Sequence, residues 1–166
     1  MFTLKSITAA GVQAALEKAE HYRLLNDPTA AESICQDILA VDAANQRALV
    51  VLLLARTDQL AHSMGATAAQ AREVLPRLTD PYQRAYYAGI IAERRALAAL
   101  RMNAPGSESV AWYGLREAME HYEAAERVRP AGNDEALLRW NACARALNAS
   151  PELEPRPEEP VPITGD

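Results

Sequence analysis

The sequence predicts an all-α fold of about seven antiparallel helices followed by an extended C-terminal tail. Three observations carry that expectation. Hydrophobic residues make up 49% of the chain but aromatics only 5%, and about one residue in five is alanine, well above ordinary usage. Alanine has the best helix propensity and lets helix backbones approach closely. Clusters of proline, asparagine, aspartate and glycine interrupt the chain at short intervals, and between them non-polar residues recur at helical spacing.

Taken in order, Ala15, Ala19 and Tyr22, with Leu16 and Leu24 alongside, predict a first helix from about Thr8 to Leu25. Asn26-Asp27-Pro28-Thr29 ends it, because proline lacks the helical donor and suits the first turn of the next helix. Ala31, Ile34, Cys35, Ile38 and Leu39 share one face of a second helix ending near Asp42. Asn45 is placed to cap a third, whose stretch from Leu49 to Leu54 is apolar nearly all round and so predicts burial on both sides. The segment from His62 to Thr67 contains Gly65 and reads as a turn, with Thr67 as the cap of a fourth helix that Pro76 kinks or ends early. Asp80-Pro81 opens a long fifth helix from Tyr82 to about Met102. After the break from Asn103 to Ser107, a sixth helix runs from about Glu108 to Val128. Pro130 to Asn133 then turns the chain into a seventh, from Asp134 to Leu147. Seven such helices make three pairs and one leftover.

The division expected is a helical domain over 1–148 and an acidic, proline-rich tail over 149–166. From Ser150 onward lie five of the ten prolines and almost no large apolar residue, so that segment lacks the surface to offset its ordering entropy. Most of the net charge of −5 sits there as well: Glu152, Glu154, Glu158, Glu159 and Asp166 oppose only Arg156. The body is nearly neutral with signs interspersed. No basic field of the kind that displaces nucleic-acid counterions is visible, so a nucleic-acid partner is not expected. The longest apolar run, Ala48 to Ala55, is far short of the ~20 residues of a membrane span. Neither a signal peptide nor a disulfide framework is legible, since Cys35 and Cys143 stand alone within helical patterns. A cytoplasmic protein without membrane contact is the expectation.

Two stretches share a template: Ala31, Cys35, Ile38 and Ala43 in one, and Ala118, Tyr122, Ala125 and Pro130 in the other. Each has a small residue, a bulkier one four on, a non-polar one three later and a helix stop five beyond. This layout resembles the second helix of a tetratricopeptide repeat (TPR). The likeness covers about residues 10–148 and weakens in the middle, where Leu53 replaces a small residue and Pro76 intrudes. Against a period of about 34 residues, Ala118 falls roughly 15 residues late, so helices five and six are expected to be over-long.

The resemblance implies a TPR-like α-solenoid acting as a non-catalytic scaffold or adaptor, with a protein or peptide partner in a concave groove lined by first helices of pairs. Carried over position by position, that groove comprises Gln13, Leu16, Glu20 and Arg23, then Arg47, Val50 and Leu54, then Leu137, Asn141 and Arg145. TPR domains that grip chaperone C-terminal carboxylates use lysine and asparagine at two positions that here hold Leu16 and Glu20. That clamp is therefore not expected; a mixed groove for an extended or helical peptide is. The alternative is a structural module that homo-oligomerises without a separate ligand.

No catalytic residue, metal site or cofactor is expected. Each histidine follows an acid by four residues (Glu17–His21, Asp58–His62, Glu117–His121), but no third ligand stands nearby, and the spacing equally gives an ordinary helical pair. Cys35 and Cys143 read as small buried hydrophobes. Tyr86 and Tyr87 point about 100° apart on a helix, so either one faces a groove or both pack against different neighbours. The Glu93-Arg94-Arg95 cluster reads as a solvated face, with a phosphate or carboxylate contact as the alternative.

Overall fold

The structure is a computed structural model and describes residues 2–60 and 64–155. Among the described residues it is all-helical: α1 Val12–Leu24, α2 Pro28–Val41, α3 Gln46–Asp58, α4 Met64–Arg72, α5 Pro81–Met102, α6 Ser107–Arg127 and α7 Glu135–Ala149. Short 3-10 turns precede α1 at Ala9–Gly11, follow α4 at Leu75–Arg77 and follow α7 at Pro151–Leu153. No helix among the described residues is long and apolar enough to cross a membrane.

The helix starts follow the predicted chemistry. The Asp27 carboxylate accepts from the Ala30 amide at 3.0 Å with Pro28 in the first turn. Asn45 caps α3 through the Ala48 amide at 3.0 Å, and Asp80 caps α5 through Tyr82 at 2.9 Å. Each satisfies an amide that the helix itself leaves unpaired. Asn103 closes α5 in the left-handed region at φ 48°, where an asparagine is better tolerated than a branched side chain. Pro76 does what its ring requires, since α4 stops at Arg72 and the proline sits in a 3-10 turn.

One start differs. Thr67 does not cap α4, because the helix already begins at Met64 and Thr67 is a buried residue within it. Gly65 is therefore helical backbone, a cost of about 1 kcal/mol that tertiary packing overrides. His62 lies outside the described residues.

Each helix packs on the next, and α1, α3 and α5 also touch in turn. One core cluster joins α1 to α5 through Leu16, Ile38, Leu49, Leu52, Leu53, Val74 and Ile91. A second joins α5, α6 and α7 through Ile90, Leu115, Met119, Tyr122, Ala136 and Cys143. Leu54 and Tyr87 pack against both clusters. α3 is buried nearly all round, as its composition predicts.

The over-long pair is present: α5 has 22 residues and α6 has 21. Their approach is set by small residues. A Cβ on Gly89 would lie 2.5 Å from the Tyr122 ring, and one on Gly114 would lie 2.9 Å from Ala96 Cβ.

The chain after α7 corrects an expectation. Ser150 to Pro155 was expected to belong wholly to an unpacked tail, yet Leu153 is buried at 7% exposure and its turn packs on α6 and α7. Proline ends the helix but does not stop the next apolar side chain from docking. The remaining tail positions, 156–166, lie outside the described residues.

Two stability outcomes follow. Gly89→Ala should lose about 1–2 kcal/mol despite alanine's helix propensity, because the buried Tyr122 ring has nowhere to move. Leu153→Ala should cost about 2 kcal/mol by removing buried apolar contacts. Urea denaturation read by circular dichroism measures both, and an unchanged midpoint for Leu153→Ala would mean that the turn adds nothing.

Candidate functional site, an arginine-lined cleft

The ends and flanks of α1, α3, α5 and α7 enclose a cleft of ≈ 510 Å³. Arg23, Arg94, Arg101 and Arg139 line it together with Asp58 and Glu93, and Leu24, Leu60, Leu97 and Ala98 supply the apolar walls. Arg94 and Arg101 share a face of α5 because seven residues make two helical turns, with Leu97 and Ala98 between them.

The two carboxylates organise the cations. Asp58 accepts from Arg23 Nε at 2.7 Å through one oxygen and from Arg94 Nη1 through the other. Arg94 Nη1 also reaches the Thr57 hydroxyl at 2.5 Å, and that hydroxyl donates to the Leu54 carbonyl at 2.8 Å. Burial pulls the Arg94 guanidinium below its ordinary value; Asp58 opposes this, and the neighbouring Arg23 and Arg139 add to it. Guanidinium basicity is so high that the group stays charged.

Glu93 is buried at 6% exposure and shares its charge between two donors. The Tyr122 hydroxyl donates to Oε2 at 2.5 Å, and Arg139 Nη1 donates to Oε1 at 3.1 Å. Burial, then the Glu93 charge and the bond to it, drives the Tyr122 hydroxyl far above its ordinary value, so it remains a neutral donor. Burial lowers Arg139, but the Glu93 carboxylate and a bond with Tyr86 outweigh it and leave a net upward shift. Four guanidinium groups thus face two carboxylates. Arg101 has no ion-pair partner among the described residues.

The sequence-derived groove residues separate into distinct places. Arg23 alone lies in this cleft. Glu20, Arg47 and Val50 line a smaller hollow of ≈ 260 Å³ with Tyr87, and Glu20 pairs with Arg47 at 2.8 Å. Leu16 is a correction: at 2% exposure it belongs to the core cluster that joins α1 to α5 and is closed to a ligand, unlike Gln13, Glu20 and Arg23 on the same helix. Leu54 is half-buried between the two core clusters. Gln13 is exposed and bonds Glu17 at 2.8 Å. Leu137, Asn141 and Arg145 sit on α7 and line neither hollow.

Sequence reasoning singled out Arg94 but read it first as solvated, and it missed Arg101, Arg139 and the part played by Asp58. The Glu93-Arg94-Arg95 cluster is not a solvated face: Glu93 is buried, and the Arg94 and Arg95 side chains are 25% and 15% exposed. Charged residues inside an otherwise apolar stretch, with Arg94 and Arg101 two turns apart, were the available signal. Tyr86 and Tyr87 both pack, their rings edge to face with centroids 5.2 Å apart, and Tyr87 also reaches the smaller hollow.

Of the three acid–histidine pairs, His121 Nε2 lies 3.9 Å from Glu117, which Arg72 and Arg95 also approach at 3.4 and 3.3 Å. Glu17 is bonded by Gln13, and Asp58 by two arginines. Among the described residues, no three histidine, cysteine, aspartate or glutamate side chains gather as a metal site.

Both cysteines are buried, and burial first, then nearby carboxylates, pushes each thiol up to about 12. Thiolate is the reactive form. At pH 8 both should therefore react with a disulfide reagent far more slowly in the native protein than in guanidinium chloride, as followed by absorbance. Immediate native reactivity of either thiol would show it to be accessible.

Compared with family models, curated proteins and solved structures, the chain matches none.

Proposed function

We propose that this chain is a non-catalytic protein–protein interaction scaffold that holds a segment of a partner protein against the face formed by α1, α3, α5 and α7. The observation that carries the reading is the cleft itself: four helices far apart in sequence contribute to one cavity of ≈ 510 Å³ with interleaved charged and apolar lining. A peptide suits such a surface, because apolar walls supply binding energy while fixed charges set its register. The first-helix origin of this lining agrees with the TPR-like solenoid that the sequence template implies, and the over-long α5 and α6 agree with its spacing. The interior carboxylates are held by arginine and tyrosine and are not poised as an acid–base pair.

A second reading, homo-oligomerisation, draws on the last helix, where Leu138 is 64% exposed with no helix beyond it among the described residues.

Selection of displayed random peptides on the immobilised chain separates the two. Enriched peptides should lose about tenfold or more in affinity for Arg101→Glu and Leu24→Asp, both exposed positions at which folding is retained. Failure to enrich any peptide, or peptides indifferent to both variants, would overturn the adaptor reading. A dimer in light scattering that Leu138→Glu dissociates would favour the second.

A further inference from the structure

We infer that the arginine cleft takes an acidic segment of a partner protein, with glutamate or aspartate carboxylates as the recognised groups. The inference rests on the adaptor reading and names the chemistry of its ligand. Within the cleft, Asp58 already spans Arg23 and Arg94, and Glu93 is saturated by Arg139 and the Tyr122 hydroxyl. Four cations against two anions leave a surplus of two positive charges facing the cavity. Arg101 is exposed and has no ion-pair partner among the described residues, and the Arg139 side chain keeps 42% of its surface open. A guanidinium with donors to spare binds a carboxylate in a planar, two-pronged fashion.

The distribution of the charge favours a peptide over a polyphosphate backbone. Arg94 and Arg101 lie two turns apart on α5, about 10 Å along the axis, with Leu97 and Ala98 between them. In an extended segment, side chains on one face recur about every 7 Å, so acidic and apolar residues in alternation meet arginines and apolar walls in turn. A nucleic-acid strand presents continuous negative charge. Along its length it would meet the Asp58 and Glu93 carboxylates that stand between the arginines, with no apolar residue to set against Leu97 and Ala98.

The test uses the full chain and a short fluorescein-labelled peptide alternating glutamate with leucine, read by fluorescence anisotropy. Binding is expected, falling about tenfold when glutamine replaces glutamate, and falling comparably in Arg101→Gln. Arg101→Lys should recover part of the loss, because charge is restored without the two-pronged geometry. Raising salt should weaken binding further. Three results would overturn the inference: equal affinity for the glutamine peptide, displacement by millimolar inorganic phosphate, or tighter binding of an oligodeoxythymidylate. Neutral library peptides that still depend on Arg101 would defeat the acidic ligand while leaving the adaptor reading standing. Absence of binding by every peptide, library and probe alike, would defeat both.

Discussion

The contact between Gly89 on α5 and Tyr122 on α6 fixes the rest of the structure. With no Cβ at Gly89, the ring lies directly against the α5 backbone, and the two longest helices close to a separation that alanine would forbid. A buried tyrosine hydroxyl must find a partner. Glu93, one turn on from Gly89, supplies it at 2.5 Å and extends its other oxygen to Arg139 on α7. One glycine therefore sets the rotation of α5 about its axis. With Glu93 turned toward α6 and α7, the next residue, Arg94, is carried about 100° round to meet Thr57 and Asp58 of α3.

That rotation explains why charges stand where a helical core would otherwise be apolar. Burying a carboxylate or a guanidinium is costly, and pairing repays the cost only where geometry is good and remaining bonds are made. Here Asp58 and Glu93 each hold two donors, and Arg94 is half-enclosed among Asp58, Thr57 and the Leu54 carbonyl. Ion pairs of this kind add little net stability but hold side chains in fixed positions, which suits a recognition surface.

The places where sequence and structure part have separate physical causes. Asn45 was legible as a cap, and the Asp27-Pro28 and Asp80-Pro81 pairs as helix starts, because such signals are decided within three residues. Thr67 has the same cap chemistry but lies inside α4, since packing onto neighbouring helices outweighs the weak preference of Gly65 and Thr67 for a turn. Leu16 was assigned to a groove by a template position, whereas the face it occupies is decided by how α1 rolls against α2 and α3. Leu153 stood in a segment read by composition alone, and one apolar side chain finding a gap beside α6 reversed that reading locally.

What the sequence by itself determined was the helical class, nearly every helix and its start, the buried α3, the over-long α5 and α6 and the stop near Pro76. All of these depend on periodicity, caps and breakers that act over a turn or two of chain. The cleft was decided only by tertiary structure. Its ion pairs join residues 35, 36 and 46 positions apart. No local pattern can state which arginine meets which carboxylate, because that depends on the roll and separation of helices that side-chain packing alone fixes.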